Sequence, residues 1–258
     1  MIETAHLYAP LHAELMQLLR SLTPEDWAKP TVCKGWAVRD IAAHILDTQL
    51  RILSMGRDGM LPSAPPDRPL VEFLNKLNAD WIDIARTRMS PSVLTSLLAV
   101  TGPELANHVE SLDPQAPALF GVAWAGEETS ANWFDVARNY TEYWHHQQQI
   151  RDAVGAEPLT HSRWYMPVLQ TFVHAFRTLP VIEGKAVRVA IGNLAWHLQC
   201  HNGKWSFTEE ACEPDAEFQS TPNAAWRHLT KGCGPEGVQI TGDPALAIPM
   251  SKVLAVMA

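Results

Sequence analysis

Cysteine is scarce in this sequence, and its few residues are not arranged in pairs. Cys33, Cys200, Cys212 and Cys233 are the four cysteines of a 258-residue chain, and none belongs to a Cys-x-x-Cys motif. They are too few to cross-link a chain of this length, and their spacing is not that of a zinc knot. The sequence therefore predicts free thiols, not a disulfide framework or a cysteine-based metal site.

Basic charge and long apolar runs are lacking as well. The chain has 20 lysines and arginines and 28 aspartates and glutamates, which gives a formal net charge of -8. This balance argues against a nucleic-acid partner, because such a partner is held by basic residues that neutralise phosphates. No segment reaches about 18 consecutive apolar residues, and the first residues have no basic start followed by an apolar stretch. We expect a cytoplasmic protein with no membrane partner and a small-molecule substrate.

Hydrophobic periodicity divides the chain into a helical part and a mixed part. Apolar residues at helical spacing predict long helices at about 7–22, 38–55, 70–88 and 131–154. The same spacing predicts a shorter helix at 103–112. Four long helices joined by loops predict a four-helix bundle. The segments 56–69 and 113–129 are rich in proline and glycine and are predicted as loops, the second of a length typical of functional loops.

The pattern changes after Gly155, which is predicted to end the last helix of the bundle. Alternation predicts strands at 187–191, 194–201, 204–207, 216–220 and 237–241. Asn202-Gly203 predicts a hairpin between two of them. Helices are predicted at about 163–178, 223–229 and 244–257. The predicted architecture is an α-helical bundle over 1–157 followed by a smaller α+β domain over 158–258.

Three residues of the helical part have the types and spacing of metal ligands. Glu142 and His146 are four residues apart in one predicted helix, so both side chains project from the same face. His44 lies in a second predicted helix, which a bundle would pack against the first. Three protein ligands leave a coordination position open, as in catalytic sites. Nitrogen and oxygen ligands suit zinc, and also nickel, cobalt, manganese or iron.

The same residues also allow structural interpretations. Glu142 and His146 can be a simple helical ion pair worth roughly 0.2–0.5 kcal/mol. His145 offers an alternative pair with Glu142, at a spacing of three residues. Cys33, near the start of a helix, is either a small buried residue or a nucleophile. We expect the protein to supply no catalytic nucleophile of its own.

Two motifs around these residues resemble the mycothiol-dependent maleylpyruvate isomerase family, a branch of the DinB/YfiT-like metal-binding four-helix bundles. The first motif, Thr-x-Cys-x-x-Trp-x-Val-x-Asp with a histidine four residues later, is present as Thr31, Cys33, Trp36, Val38, Asp40 and His44. The second, a glutamate and a histidine four residues apart and then alanine and glycine, is present as Glu142, His146, Ala153 and Gly155.

The resemblance implies a metal, usually zinc, bound by His44, Glu142 and His146. It also implies a low-molecular-weight thiol cosubstrate, such as mycothiol, and a sterol-carrier-like C-terminal domain. Trp36 and Trp144, which neighbour the ligands, are expected to line the pocket. Gln149 is a further expected lining residue, and relatives commonly carry aspartate at its position.

The implied reaction is cis–trans isomerisation of an unsaturated keto acid. A divalent cation lowers the pKa of a coordinated thiol. The thiolate adds to the double bond, rotation follows about the resulting single bond, and elimination releases the trans product. A thiol S-transferase acting on an electrophile and a non-catalytic metal- or small-molecule-binding protein are the alternatives. The sequence does not distinguish mycothiol, bacillithiol and glutathione, nor does it indicate an oligomeric state.

Overall fold

Contacts along the chain group its residues into a helical unit and a sheet-containing unit. The computed structural model describes residues 1–61, 69–210, 212–230 and 236–255. Unit 1 comprises Met1–Leu119 and Ala131–Pro167, and unit 2 comprises Phe120–Ser130 and Val168–Ala258. These units are groups of contacting residues. The prediction that independent domains meet at residue 157 stays a prediction.

Unit 1 is built from helices that bury one apolar face each. Their bounds are α1 (Tyr8–Ser21), α2 (Pro24–Ala28), α3 (Val38–Ile52), α4 (Leu70–Arg88), α5 (Pro91–Ser111), α6 (Asn132–Val154) and α7 (Ser162–Phe172), the last of which continues into unit 2. Helices α1 and α3 both contact α5 and α6, and α4 packs against α3. Fully buried side chains between them include Leu11, Leu15, Ile41, Leu98 and Trp144.

Helix α5 differs from the prediction, which placed only a short piece at 103–112. The helix begins at Pro91, where Ser90 caps it by accepting a hydrogen bond from the Val93 N–H, and it continues through Pro103 to Ser111. Gly102 and Pro103 are residue types that disfavour the interior of a helix. Burial of apolar side chains such as Leu94 and Leu98 outweighs the local cost of those two residues.

The other helical predictions agree with the structure to within a few residues. A π-helical turn, Leu53–Arg57, extends α3, and α6 ends at Val154 before Gly155, as expected. The predicted loop at 56–69 lies mostly in 62–68, outside the described residues. The predicted connection at 113–129 is irregular apart from a 3-10 turn at Ala123–Ala125.

Unit 2 contains a mixed sheet. Its described strands are β1 (Ala186–Ile191), β2 (Leu194–His201), β3 (Lys204–Thr208), β4 (Ala216–Ser220) and β5 (Val238–Gly242), in the order β3-β2-β1-β4-β5. The β1 and β4 strands are parallel, and the other pairs are antiparallel. Helices α8 (Pro222–Leu229) and α9 (Pro244–Met250) accompany the sheet, α9 ending before the predicted residue 257.

The Asn202-Gly203 turn joins β2 to β3 as predicted. Asn202 has φ 53° and Gly203 has φ 74°, the pair of positive angles that a type I′ hairpin requires and that these two residue types tolerate. Phe176 packs edge-on against Phe218 of β4 in the core of this unit, with ring centres 5.2 Å apart. The order of elements, helices first and then a mixed sheet with accompanying helices, confirms the predicted fold class. Among the described residues, no helix has the length and apolar character needed to span a membrane.

Candidate functional site

Helices α3 and α6 bring the three predicted metal ligands together. Val38 begins α3, and the Asp40 carboxylate accepts a hydrogen bond of 2.9 Å from the Ala37 N–H at the start of that helix. This fixes the first turn of α3, and His44 follows one turn after Asp40. Glu142 and His146 lie one turn apart in the middle of α6, which contacts α3.

The His44 and His146 rings are in contact, and Glu142 lies beside His146. The two ring centres are 4.7 Å apart, and the ring planes meet at 87°, so the edge of one imidazole faces the plane of the other. The Nε2 atom of His146 is 3.8 Å from the Glu142 Oε2, beyond hydrogen-bond range. The Nδ1 atom of His44 is buried and has no hydrogen-bond partner in the described part of the chain.

These contacts do not by themselves form a metal-coordination sphere. Within residues 1–61, 69–210, 212–230 and 236–255, no group of three or more His, Cys, Asp or Glu side chains has an arrangement that could hold a metal ion. The metal triad therefore stays a prediction.

Gln149 makes contacts on the other side of His146. Its Oε1 accepts a hydrogen bond of 2.8 Å from the His146 Nδ1, and its Nε2 donates one of 3.1 Å to the His145 Nε2. The Nε2 atom of His145 is therefore occupied by Gln149. The Nε2 atom of His146 is the one that lies nearest to Glu142.

Burial controls the protonation of all three candidate ligands. It raises the pKa of Glu142 to about 7, an effect that the Arg138 cation partly offsets. It lowers the pKa of His44, and the nearby cationic forms of His146 and Arg51 lower that pKa further. It also lowers the pKa of His146, against a hydrogen bond with Gln149. Both imidazoles are thus neutral near pH 7, the form that can bind a cation through a nitrogen lone pair.

The N-terminal part of the chain matches a protein-family model described as the mycothiol maleylpyruvate isomerase N-terminal domain. The match covers residues 8–151, more than half of the chain. The chain belongs to this family. The matched range runs from α1 to the last turn of α6, so it contains His44, Glu142 and His146. The resemblance drawn from the two sequence motifs is confirmed.

Solved structures share the family's fold over nearly the whole chain. The crystal structure of the mycothiol-dependent maleylpyruvate isomerase is 14% identical, with a TM-score of 0.59 and 94% of each chain covered. A histidine-to-alanine mutant of that enzyme gives 12% identity, a TM-score of 0.60 and the same coverage. At this level of identity the likeness shows the fold alone. No curated protein matches the chain.

A small, partly open cavity adjoins the candidate ligands in this family member. Its volume is about 20 Å³, enough for a water molecule, and Glu142, His146, Gln49 and Tyr143 are among its lining residues. The Tyr143 hydroxyl lies 2.5 Å from the His12 Nδ1 and accepts a hydrogen bond of 3.3 Å from the Gln49 Nε2. These polar groups are set into a cavity wall that is otherwise mostly apolar, with Ile45, Ile52 and Leu105 among its lining residues.

Sequence reasoning did not find Gln49, Tyr143 or His12 as neighbours of the site. Tyr143 directly follows Glu142, which was a usable signal. His12 is 131 residues away from Tyr143, and no motif or spacing links the two. Thr101 completes this buried group by donating a hydrogen bond of 2.5 Å to the Gln49 Oε1.

The predicted lining residues occupy different positions. Trp36 packs against His44, with ring centres 5.3 Å apart. Trp144 is fully buried and is not among the residues that line the described cavity; its indole donates to the Leu159 carbonyl and stacks on Tyr165. The Trp36 ring therefore contacts a candidate ligand, as expected of a residue that lines the site.

Cys33 lies near Gln149 in a loop before α3. Burial raises the pKa of the Cys33 thiol, and hydrogen bonds with Gln149 and Thr31 partly offset this. A raised pKa disfavours the thiolate, the nucleophilic form. Cys33, Cys200 and Cys212 are free thiols, as predicted, and Cys233 lies outside the described residues.

Proposed function

We propose that the chain is a metal- and thiol-dependent isomerase that converts a cis-unsaturated keto acid to its trans isomer. The observation that carries the proposal is the grouping of His44, Glu142 and His146 within the range that matches the family. The name of the structurally similar enzyme supports maleylpyruvate as the substrate and mycothiol as the thiol.

The chemistry of the residues fits a divalent cation at this point. His44 has a buried ring nitrogen with no hydrogen-bond partner among the described residues, and the mostly buried Glu142 carboxyl lies 3.8 Å from the His146 Nε2. Both imidazoles are neutral near pH 7. A cation would stabilise the Glu142 carboxylate and use the imidazole lone pairs. His44, Glu142 and His146 would hold it, with zinc as the usual ion and nickel, cobalt, manganese or iron as alternatives.

The residues around the ligands would bind and shield the reactants. When bound, a divalent cation supplies the positive charge that lowers the pKa of a thiol. Trp36 covers His44 with apolar surface, which limits access of water to that ligand. The Tyr143 hydroxyl and the Gln49 amide provide hydrogen-bonding groups beside Glu142. The protein needs no nucleophile of its own, because the thiol cosubstrate supplies the sulfur that adds to the double bond.

A thiol S-transferase is the nearest alternative, since it requires the same thiolate. The observation that favours it is Gln149, which stands where relatives with the isomerase motif commonly carry aspartate. An amide at this position removes a negative charge from the surroundings of His146. Such a change is expected to alter which electrophile is accepted while the candidate ligands are kept.

A non-catalytic binding protein is supported by a different feature, in unit 2. An open apolar cleft of about 340 Å³ lies between residues 178–180 and the end of helix α9. Its lining residues include Leu179, Pro180, Ile248 and Val253. Its volume lies within the range of small-molecule sites, and binding there needs no metal.

A turnover screen separates these functions. Purified protein supplied with zinc is assayed with mycothiol, bacillithiol or glutathione, against maleylpyruvate and a set of electrophiles. We expect metal-dependent isomerisation of maleylpyruvate with at least one of the thiols. His146→Ala is expected to abolish it, and His145→Ala, which removes the adjacent buried histidine, is the matched control that keeps it.

Each alternative predicts a different pattern in the same screen. Consumption of thiol with an electrophile, without isomerisation, favours the transferase. No turnover in any combination, together with no thiol binding by calorimetry, contradicts both enzymes and leaves the binding protein.

A further inference from the structure

Gln149 connects two adjacent histidines and the loop before α3 through one buried amide. The side chain is 3% exposed. Its Oε1 is 2.8 Å from the His146 Nδ1, its Nε2 is 3.1 Å from the His145 Nε2, and it also hydrogen-bonds the Cys33 thiol. The amide is therefore engaged at its oxygen and at its nitrogen.

These contacts determine where each imidazole carries its proton. An amide oxygen can only accept, so the His146 Nδ1 must donate and its Nε2 keeps a lone pair. An amide nitrogen can only donate, so the His145 Nε2 must accept and the proton of that ring lies on Nδ1. Both histidines are thereby held as the Nδ1–H tautomer.

The reverse orientation of the amide gives a poorer arrangement. It would place a proton on the His146 Nε2, which is 3.8 Å from the Glu142 Oε2 and too far away to donate to it. The orientation in the structure leaves that nitrogen with a lone pair on the side of Glu142. A lone pair at this atom is what a cation shared with Glu142 requires.

We propose that Gln149 is a positioning residue that holds His146 in the Nδ1–H tautomer and so leaves its Nε2 free to bind a metal ion beside Glu142. By occupying the His145 Nε2, the same amide makes His146, and not His145, the ligand from this pair. Only the binding of a metal ion by the His146 Nε2 rests on the proposed metal-dependent function. The tautomers themselves are a property of the metal-free protein.

Substitutions at position 149 separate the two hydrogen bonds. Gln149→Glu keeps an acceptor for the His146 Nδ1 and removes the donor to His145. We expect His146 to remain Nδ1–H in this variant and His145 to move its proton to Nε2. Methionine has a volume similar to that of glutamine and can form neither hydrogen bond. In Gln149→Met, neither imidazole is therefore held in one tautomer, and His146 is expected to populate the Nε2–H form.

Gln148 offers a matched control on the same helix. It is 1% exposed, and its Oε1 accepts a hydrogen bond of 2.9 Å from the Leu159 N–H. Among the described residues, no histidine is its hydrogen-bond partner. Gln148→Met therefore removes a buried amide of the same kind one residue away. Both histidine tautomers are expected to stay as in the wild type.

The experiment is NMR of full-length, metal-free protein with ¹⁵N-labelled histidine, at a pH where the imidazoles are neutral. Long-range ¹H–¹⁵N correlations report which ring nitrogen is protonated, and His145→Asn and His146→Asn spectra assign the two rings. An Nε2–H His146 in the wild type, or a tautomer that stays Nδ1–H in Gln149→Met, overturns the proposal. If Gln149→Met does not fold, Gln149→Glu still tests it: an unchanged His145 overturns the assigned hydrogen bonds.

Zinc binding, measured by calorimetry, tests metal binding by the His146 Nε2 and separates it from the proposed function. Gln149→Met is expected to weaken zinc binding about 10- to 100-fold, with Gln149→Glu restoring it and Gln148→Met leaving it unchanged. Equal zinc affinity in the wild type and Gln149→Met contradicts the positioning role. A wild type with the expected tautomers that binds no zinc contradicts the proposed metal-dependent function and the ligand role of His146, while the tautomer assignment stands.

Discussion

Single residues at the candidate site could be predicted only where their partners are near in sequence. Glu142 and His146 are one helical turn apart, so their shared face followed from spacing. The contact between His12 and Tyr143 spans 131 residues and depends on how α1 packs against α6. Nothing in the local sequence around His12 distinguishes it from an ordinary core histidine, because its partner is chosen by tertiary packing.

The raised pKa of Glu142 predicts a pH-dependent stability in the metal-free protein. Burial raises this pKa from 4.5 to about 7, so between these values the folded state keeps a proton that the unfolded state releases. Stability from this group is therefore lost as the pH rises through that window. Glu142→Gln removes the titration, and we expect the variant to gain on the order of 1–3 kcal/mol over wild type between about pH 4.5 and 8.

Urea unfolding of both proteins at a series of pH values measures this difference. The lowered pKa values of His44 and His146 act in the opposite direction, but both proteins contain these residues, so the difference between them isolates Glu142. Parallel stability curves for wild type and Glu142→Gln would show that the carboxyl is not desolvated.

Gly102 is predicted to be required for the close packing of α5 against the His12 side chain. A methyl group at this position would lie 2.1–2.3 Å from atoms of the His12 ring, too close for any real contact. Gly102→Ala is expected to lower the free energy of unfolding by about 1–3 kcal/mol in spite of the better helix propensity of alanine. In a His12→Ala background the same change should become neutral or stabilising. Denaturant unfolding of the four proteins in this cycle tests the contact, and an equal loss in both backgrounds would refute it.

Whole helices were more predictable than single contacts, with α5 as the informative exception. The α3, α4 and α6 helices have clear periodicity and end near glycine, proline or extended residues, and their predicted bounds lie close to the observed ones. In α5 the Gly102-Pro103 pair resembles a stop, yet the chain remains helical because both sides of the pair pack against neighbouring helices. Local signals cannot reveal packing of this kind.

The start of α3 is predicted to depend on the buried carboxylate of Asp40, which pairs with the exposed Arg86. Asp40 is 3% exposed, accepts a hydrogen bond from the Ala37 N–H, and binds the Arg86 guanidinium at 2.8 and 3.0 Å. Arg86 also donates to the Gly35 carbonyl in the loop that carries Trp36. Asp40→Ala is expected to cost about 2 kcal/mol, because it removes a helix cap and the carboxylate partner of the solvent-exposed Arg86.

The matched control for Asp40 is Asp26. It occupies the same capping position at the start of α2, where it accepts a hydrogen bond from the Thr23 N–H, and it pairs with the exposed Lys29. Asp26→Ala should cost clearly less than Asp40→Ala in urea unfolding. Equal losses would mean that the Arg86 pair adds nothing to the cap.

At the scale of the whole molecule, the two units are predicted to respond differently to metal. A cation held by His44, Glu142 and His146 would link α3 to α6 inside unit 1, and it would stabilise that unit by binding only its folded form. Amide hydrogen exchange with and without zinc measures this response. We expect slower exchange in α3 and α6 and no change in the strands β1 to β5. Uniform slowing across both units, or none in α3 and α6, would contradict the site.

The metal content of the purified protein shows whether His44, Glu142 and His146 bind a metal ion. Wild type, His145→Ala and a His44→Ala/His146→Ala double variant are exposed to excess divalent metal, dialysed and subjected to elemental analysis, with folding checked by circular dichroism. We expect an equimolar amount of metal in wild type and in His145→Ala, and a loss of that metal in the folded double variant. Equally little metal in wild type and in the double variant would contradict it.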